Sequence, residues 1–355
     1  MSENKVTRRK ANTDFVLADT VVPPGSRALI DLPVADLYTH SSLKMPIQVV
    51  NGKQAGPVLF VSAAIHGDEL NGVEIIRRLL KHKSLGRLRG TLIAVPVVNV
   101  HGFLDQSRYL PDRRDLNRSF PGSSKGSLAS RLADVFSKEI IDRADYGIDL
   151  HTGSAHRENL PQIRANLDDE TTMRLANTFD VPVILNAPVR DGSLRGYAAE
   201  KGIPTLLYEA GEALRFSEVG IRAGLRGILG AMRELEMLAP SKRRRTTAID
   251  SQVATSSQWA RAPYSGVVRS AVKLGDRVAK GQTLAMISDP FGEEEFEVNT
   301  QYSGIIIGQS KLPLAYEGDA LFHIARFDSN ARAEDTVEEF RTIISPDSVP
   351  ESVPE

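Results

Sequence analysis

Residues 58–72 read VLFVSAAIHGDELNG, an apolar run that ends in His66, Gly67, Asp68 and Glu69. A strand that is buried on both faces reads as a continuous apolar run, because helices cover both sides of its sheet. Side chains that follow such a strand lie at the carboxyl edge of an open α/β sheet, where sites commonly form. His66 and Glu69, with Gly67 permitting a tight turn, can therefore hold one cation together. The alternative is a strand-end histidine that only hydrogen-bonds the backbone.

Similar apolar runs recur along the first two thirds of the chain. Four of them predict further buried strands, at residues 91–98, 146–150, 181–186 and 205–208. Apolar residues at helical spacing predict three helices, at residues 70–80, 128–140 and 217–237. Residues 21–50 are expected to add extra, antiparallel strands. This order predicts an α/β fold with a mixed central β-sheet and helices on both faces.

A second strand end supplies another imidazole. Residues 147–153 read GIDLHTG, so His151 follows an apolar run and can face the same crevice as His66. With Glu69, the two histidines make a set of three ligands that leaves a fourth position for water, which is typical of catalytic zinc. Asp149 lies two residues earlier on the same strand face. It either orients an imidazole or is an ordinary strand-end carboxylate.

Glu209 follows the apolar run at residues 205–208. A carboxylate at this edge of the sheet can act as general base and then as general acid. An exposed glutamate at the start of a helix is the alternative interpretation.

An arginine-rich loop follows the run at residues 91–98. Residues 108–118 contain four arginines, Arg108, Arg113, Arg114 and Arg118. A guanidinium group matches a carboxylate in two hydrogen bonds and can stabilise a developing oxyanion. The loop is therefore a candidate for substrate binding, and surface charge is the alternative.

Composition narrows the classes of function. Lys and Arg (44 residues) nearly balance Asp and Glu (45), so no overall charge recruits nucleic acid or a membrane surface. The chain has no cysteine, which leaves histidine and carboxylate as metal ligands. No signal-like segment opens the sequence, and no run approaches the roughly 18 apolar residues of a membrane span. A cytoplasmic location is expected.

A glycine-punctuated β module follows the first domain. Residues 264–268 (YSGVV) recur as residues 302–306 (YSGII), which indicates two similar halves. Over residues 260–327 the module resembles the biotinyl/lipoyl-like barrel-sandwich domains. Carriers of that type bear a modified lysine between the halves. The corresponding residues 288–298 read SDPFGEEEFEV and contain no lysine, so attachment of lipoate or biotin is not expected. The module is therefore interpreted as a packing or lid domain.

The motifs HGDE-NG, DLNRSFPG, DLHTGS and YEAG occur in this order between residues 57 and 213. Their combination resembles the succinylglutamate desuccinylase/aspartoacylase family of the zinc carboxypeptidase superfamily. The resemblance implies one Zn²⁺ per chain, held by His66, Glu69 and His151. It further implies the roles of four residues: Glu209 as general base, Arg108 as the carbonyl-polarising arginine, and Asn117 with Arg118 as a clamp for a substrate carboxylate.

The C-terminal module differs from the domain that covers the site in the best-known members. Substrate identity is therefore open. Candidates for the specificity pocket are Arg157 and Arg164, with Asn159 and Gln162, in the loop expected after His151. Tyr264, Tyr302 and Tyr316 are candidates for a substrate-contacting tyrosine.

The predicted organisation has five parts. They are a flexible N-terminus (1–20), a zinc hydrolase domain (21–240), a linker or domain crossing (241–257), a barrel-sandwich-like β domain (258–328) and an acidic, disordered tail (329–355). The predicted function is hydrolysis of the amide bond of an N-acyl amino acid or a related small amide with a carboxylate. A metallocarboxypeptidase acting on peptides and a non-catalytic binding or carrier protein are the alternatives. Expected partners are a small molecule and neither nucleic acid nor membrane, with a homo-oligomer left open.

Overall fold

The computed structural model describes residues 10–240 and 249–344. The helices are α1 (Asn71–Lys81), α2 (Val100–Leu104), α3 (Leu128–Glu139), α4 (Glu170–Asn177), α5 (Leu194–Glu200), α6 (Glu218–Glu234) and α7 (Asn330–Ile344). Short 3-10 turns occupy Lys83–Arg87, Leu116–Arg118 and Ile141–Arg143. No helix of these two ranges is long and apolar enough to cross a membrane.

Strands dominate both halves of the chain. Residues 10–240 contain β1 (Phe15–Leu17), β2 (Thr20–Val22), β3 (Arg27–Asp36), β4 (Ser42–Asn51), β5 (Gln54–Ala63), β6 (Arg89–Val95), β7 (Tyr146–Gly153), β8 (Arg157–Ala165), β9 (Val183–Asn186) and β10 (Thr205–Glu212). Residues 249–344 contain β11 (Gln252–Ala254), β12 (Ser256–Arg261), β13 (Gly266–Ser270), β14 (Arg277–Val278), β15 (Thr283–Ser288), β16 (Glu295–Asn299), β17 (Gly304–Ser310), β18 (Leu314–Ala315) and β19 (Ala320–Arg326).

Within the described residues, thirteen strands form one mixed sheet. Its strand order is β12-β19-β17-β8-β10-β7-β5-β6-β4-β3, with β9 beside β8, β11 beside β9 and β14 beside β17. β6, β5, β7 and β10 are parallel neighbours, while β3 and β4 add an antiparallel edge. The predicted mixed sheet and its extra antiparallel strands are confirmed. The carboxyl ends of β5, β7 and β10 consequently meet at one edge.

Apolar layers cover both faces of this sheet. On one face α1 and α6 pack together, and Tyr208 lies against Phe179 with 5.3 Å between ring centroids. On the other face Phe136 of α3 makes edge contacts with Phe60 and Phe120. These layers fix the strand ends that carry the candidate ligands.

β8 was not predicted. Residues 157–165 were expected in a loop, but they form a central strand that is antiparallel to β10. Pro161 makes the segment unlike a strand, because proline cannot donate to a ladder. It lies where the neighbouring strand changes from β17, paired at residues 157–159, to β9, paired at residues 162–165. The missing N–H therefore falls between two ladders.

The C-terminal β module continues the main sheet. β17 pairs with β8, so the module joins the hydrolase domain by strand addition. β13, β15, β16 and β18 form a second, four-stranded sheet, and both sheets enclose a separate apolar core. The two sequence halves occupy equivalent places: β13 and β17 each begin at the repeated glycine, and Gly281 and Gly318 take φ of +85° and +86° in matching turns.

The expected flexible ends are shorter than predicted. Residues 330–344 form α7, whose Ala333, Val337, Phe340 and Ile344 are buried, so disorder of the tail is wrong for this part. These four residues recur at helical spacing, which the many charged residues between them obscured. Residues 345–355 lie outside the described ranges.

The N-terminal expectation also fails in part. Residues 10–20 include β1, and Ala11 bridges to Gln54. Residues 1–9 lie outside the described ranges. The predicted linker, residues 241–257, is also only partly described. Residues 241–248 lie outside the described ranges, whereas β11 (Gln252–Ala254) pairs with β9 inside the main sheet.

Candidate active site

Three buried side chains meet at the edge formed by β5, β7 and α1. His66 follows β5, Glu69 precedes α1, and His151 lies in β7. One ligand atom from each lies within 4.8 Å of the others. Gly67 permits the turn between His66 and Glu69, because a Cβ there would lie 1.9 Å from the carbonyl carbon of Gly102. The sequence-predicted ligand set is therefore brought together.

Glu69 lies between the two imidazoles. His66 Nδ1 is 2.8 Å from Glu69 Oε1, and His151 Nδ1 is 2.8 Å from Glu69 Oε2. The Thr152 N–H also donates to Oε2, at 3.2 Å. Both imidazoles thus present the same nitrogen to one carboxylate.

The outer nitrogen of each imidazole contacts a second carboxylate. His151 Nε2 is 2.7 Å from Asp149 Oδ2, and His66 Nε2 is 3.2 Å from Asp115 Oδ1. Ser62 Oγ donates to Asp149 Oδ1 at 2.8 Å. Of the two interpretations of Asp149, the structure favours contact with the imidazole. Such outer carboxylates fix the tautomer and orientation of metal-binding histidines.

The buried groups shift one another's pKa. Burial alone would lower the pKa of His151, but Asp149 and Glu69 raise it well above its usual value. Burial alone would raise the pKa of Glu69, but His66 and His151 hold it well below its usual value. Each protonated imidazole therefore attracts the Glu69 carboxylate strongly.

This donor set fits a divalent metal ion. Two imidazole nitrogens and one carboxylate converge from three elements, and their outer nitrogens are already held by carboxylates. Each contact between an imidazole Nδ1 and a Glu69 oxygen requires a proton on Nδ1. A bound cation would take the place of these two protons. The cluster could thus bind a metal ion.

Arg108 lies beside this cluster. Its Nη2 donates to Asp115 Oδ2 at 2.9 Å, and its Nη1 is 3.3 Å from His66 Nδ1 and 3.5 Å from Glu69 Oε1. Arg113 and Arg114 of the same loop are exposed and do not line the pocket. Asp115, which sequence reasoning did not single out, links Arg108 to His66.

Glu209 lies next to His151 on the neighbouring strand. Glu209 of β10 is in register with His151 of β7. Glu209 Oε2 accepts a hydrogen bond from Asn159 Nδ2, and Oε1 is 3.3 Å from Arg164 Nε. Two side chains from β8 thus hold this carboxylate at the edge of the cluster.

One pocket of about 550 Å³ is lined by the three candidate ligands, by Glu209 and Arg108, and by the candidate substrate-binding residues Asn117, Arg118, Arg157 and Arg164. It is rich in arginine, with Arg108, Arg118, Arg157, Arg164, Arg190 and Arg195 on its walls. Its acidic residues are Glu69, Asp149 and Glu209. Burial and the neighbouring Arg164 lower the pKa of Arg195 to about 10, which reflects the crowding of positive charge.

Asn117 and Arg118 lie at the wall formed by the 3-10 turn Leu116–Arg118. Asn117 is buried, and its Oδ1 accepts a hydrogen bond from the N–H of Leu194, the first residue of α5. Arg118 is exposed, and its Nη1 donates to the Asn117 carbonyl oxygen. The pair thus borders the pocket with one anchored amide and one accessible guanidinium.

The β module supplies wall residues that sequence reasoning missed. Trp259 of β12 and His323 of β19 line the pocket, whereas Tyr264, Tyr302 and Tyr316 do not. Gln162 is buried and also does not line it. No local sequence pattern marks Trp259 or His323, because their strands reach the pocket only through the pairing of β17 with the distant β8.

Comparisons with known proteins agree with this geometry. The model of the succinylglutamate desuccinylase/aspartoacylase catalytic domain matches residues 55–235. The N-alpha-acetyl-L-2,4-diaminobutyric acid deacetylase of Halomonas elongata is 26% identical over 314 residues, which cover 83% of this chain and 90% of that protein. The succinylglutamate desuccinylase of Photorhabdus laumondii is 26% identical over 191 residues, covering 48% and 58%.

Solved structures share the fold beyond the catalytic domain. A succinylglutamate desuccinylase/aspartoacylase from Rhodobacter sphaeroides has a TM-score of 0.76 at 24% identity, and the similarity covers 85% of this chain and 96% of that chain. The product-bound ectoine utilization protein EutE (DoeB) from Ruegeria pomeroyi has a TM-score of 0.75 at 23% identity, covering 84% and 94%.

Proposed function

Since this chain belongs to the succinylglutamate desuccinylase/aspartoacylase family, whose named members are hydrolases of acylated amino acids, we propose that it is a zinc-dependent deacylase. Its proposed substrate is an N-acyl amino acid or a related small amide that bears a carboxylate. The observation that carries the proposal is the buried cluster of His66, Glu69 and His151 beside Glu209 in one pocket.

His66, Glu69 and His151 would hold the zinc ion. When bound, zinc supplies Lewis-acid polarisation of a carbonyl and a lowered pKa for water. Asp149 and Asp115 keep the outer imidazole nitrogens engaged, so that both Nδ1 atoms stay directed at the centre.

Glu209 is the proposed general base. It accepts a proton from the attacking water and then donates that proton to the leaving amine, so a single carboxylate serves both steps. Asn159 and Arg164 support this role, because they hold the carboxylate next to His151. No covalent intermediate with the protein is required.

Arg108 and the pair Asn117 and Arg118 would bind the substrate. Arg108 is directed at the metal cluster, where its guanidinium can stabilise the oxyanion that develops on the scissile carbonyl. Arg118 is accessible and can bind a carboxylate through two hydrogen bonds. Asn117 positions the neighbouring α5 terminus and completes this wall.

The charge of the pocket favours an anionic substrate. The pocket contains six arginines and three acidic residues. Of the acidic residues, Glu69 is a candidate metal ligand and Asp149 contacts the candidate ligand His151. The Halomonas relative is named for an acetylated diamino acid, whose side chain is cationic. The arginines disfavour such a cation here, so we propose an acidic or neutral side chain. A pocket of about 550 Å³ suits a small molecule better than a peptide.

A hydrolysis screen tests this proposal. Zinc-loaded protein is assayed against N-acetyl-aspartate, N-succinyl-glutamate, Nα-acetyl-diaminobutyrate and a dipeptide, with Glu209→Gln as the matched control that retains the ligands. Release of amino acid from the anionic N-acyl substrates is expected. Preference for the dipeptide would instead indicate a carboxypeptidase, and absence of turnover on all four would contradict the proposed function.

A further inference from the structure

A second pocket, of about 370 Å³, lies where the β module meets the hydrolase domain. Its walls come from the turn between β7 and β8, the arginine-rich loop and the segment that joins β17 to β18. Arg108, Ser154 and Arg157 line both this pocket and the active-site pocket, whereas Glu209 and the candidate metal ligands line only the latter. We call it the module pocket. Its volume suits a small molecule.

Asp68 brings a carboxylate oxygen without a partner to the module pocket. The residue is only 4% exposed, and its Oδ1 has no hydrogen-bond partner among residues 10–240 and 249–344. A buried polar atom without a partner is costly and rare. Asp68 lines the module pocket and not the active-site pocket, so an occupant of the module pocket can supply the missing donor. An ammonium group is the donor that would also compensate the charge.

Arg157 brings the opposite charge to the same pocket. Its guanidinium carbon lies 5.1 Å from the centroid of the Trp259 ring, and stacking on an aromatic face leaves the N–H donors free. Among the described residues, no carboxylate lies within ion-pair distance of Arg157, in contrast to Arg108, which pairs with Asp115. The module pocket therefore offers one acidic and one basic group to an occupant that carries both charges.

The rest of the wall includes exposed apolar side chains. Tyr109 of the arginine-rich loop and Leu312 and Leu314 of the β module all line the module pocket, and all three are exposed. Large apolar groups gain free energy when a ligand removes them from water. Their gathering around one concave surface, from distant parts of the chain, favours an occupant with an apolar chain.

We propose that the module pocket binds a free α-amino acid with an apolar side chain and that this ligand inhibits the enzyme. Its ammonium group contacts Asp68, and its carboxylate contacts Arg157. Arg108 connects the two pockets, because it lines both and its Nη1 lies 3.3 Å from His66 Nδ1. A carboxylate in the module pocket competes for the N–H donors of Arg108, which makes them less available to the scissile carbonyl. The inhibition rests on the proposed function, whereas the binding does not.

Calorimetric titration of the zinc-loaded protein tests the ligand class. The probes are L-leucine and two analogues that each lack one charged group: 4-methylpentanoate, without the ammonium group, and 3-methylbutylamine, without the carboxylate. L-Leucine is expected to bind saturably, and each analogue at least about tenfold more weakly, because a charge-assisted hydrogen bond is lost. Failure of L-leucine to bind, or equal affinity for L-leucine and either analogue, would overturn the proposal.

Two variants locate the binding in the module pocket. Asp68→Asn keeps the shape but removes the charge, and should weaken L-leucine binding by at least about tenfold. Leu312→Ala removes apolar contact and should weaken it by at least about threefold. Asp31→Asn, at an exposed carboxylate of the edge strand β3, is the control and should bind like the parent. Thermal midpoint and zinc content establish that each variant is folded. Parental affinity in a folded Asp68→Asn or Leu312→Ala would overturn the site.

Rates then separate this inference from the proposed function. L-Leucine should lower kcat on the best substrate of the screen, and Leu312→Ala should require at least about threefold more L-leucine for the same inhibition. An effect on KM alone would place L-leucine in the active-site pocket and overturn the proposal, while leaving the deacylase function intact. If no N-acyl amino acid is hydrolysed but L-leucine binding still depends on Asp68 and Leu312, the site stands and the proposed function fails.

Discussion

Glu69 is the residue around which the candidate metal site is organised. It is 1% exposed, and its two oxygens each face one imidazole. Burying a carboxylate is costly unless charged or hydrogen-bonded partners compensate for its lost hydration. His66 and His151 provide that compensation without metal, and a cation would provide it more strongly. The contacts with His66 and His151 therefore fix both oxygens of Glu69 at the centre of the candidate site.

Removing either histidine is expected to remove the metal. His66→Ala or His151→Ala leaves two protein ligands, fewer than the three that catalytic zinc sites use. Elemental analysis of purified protein should find about one zinc per chain in the parent and almost none in either variant. Glu209→Gln, which changes a neighbour that is not a ligand, should keep its zinc. Full metal content in both histidine variants would refute the assignment.

Glu209→Gln is expected to lower kcat by at least about a hundredfold, because general acid–base catalysis contributes factors of that size. The amide retains the volume and can still contact Asn159 and Arg164, so the fold should be unaffected. Steady-state rates on the best substrate of the screen measure the effect. A variant that turns over at nearly the parental rate would exclude Glu209 from proton transfer.

Arg118→Lys distinguishes recognition of a carboxylate from a merely basic loop. Lysine keeps the charge but cannot form the paired hydrogen bonds of guanidinium. A charge-assisted hydrogen bond is worth about 1.5 to 3 kcal/mol, so kcat/KM should fall by about tenfold to about a hundredfold. On a substrate with an amidated carboxylate the variant and the parent should be nearly equal. The same loss on both substrates would make Arg118 structural, and the clamp would then be sought at Arg195.

At the scale of elements, apolar runs in the sequence correctly predicted the buried parallel strands of the sheet. The sequence shows β5, β7 and β10 as apolar runs. His66, His151 and Glu209 directly follow or end such a run, and Glu69 lies three residues beyond His66. β8 could not be predicted, because Pro161 is tolerated only at the change between two neighbouring strands. Trp259 and His323 could not be predicted either, since their place depends on β17 pairing with β8 across about half the chain.

α7, like β8, was not predicted from the sequence, and a substitution at Phe340 tests whether the helix packs on the core. Phe340 is 1% exposed and packs into the same apolar core as α1 and α6. Phe340→Ala should lower the free energy of unfolding by about 3 to 5 kcal/mol, because it leaves a cavity. Denaturant unfolding measures this, with the exposed Glu339→Ala as control. A disordered tail would make both changes silent.

At the scale of the whole molecule, the β module and the hydrolase domain share one sheet. The register places Trp259, His323, Gly308 and Asn159 in one row across β12, β19, β17 and β8. Asn159 then contacts Glu209 of β10. The module therefore touches the proposed catalytic carboxylate through one intermediate side chain, and a change inside the module should alter the chemistry.

Gly308→Ala tests this connection. A Cβ at Gly308 would lie 2.9 Å from Asn159 Oδ1 and 3.1 Å from His323 Cβ, so the Asn159 side chain must shift. Losing its hydrogen bond to Glu209 should lower kcat on an N-acetyl substrate by roughly tenfold. Zinc content should not change, because no ligand is touched. Gly86→Ala is the matched control, since a Cβ there meets no atom within 4 Å.

A double-mutant comparison decides whether Gly308→Ala lowers kcat by displacing the Asn159 side chain. If it does, Gly308→Ala should cost little more in a protein that already carries Asn159→Ala, because residues that act through one contact are not additive. Full additivity of the two losses in kcat would mean that the module affects Glu209 by another route. An unaltered kcat in Gly308→Ala itself would mean that the protein accommodates the added methyl group without moving the Asn159 side chain. The shared sheet would then only hold the module in place.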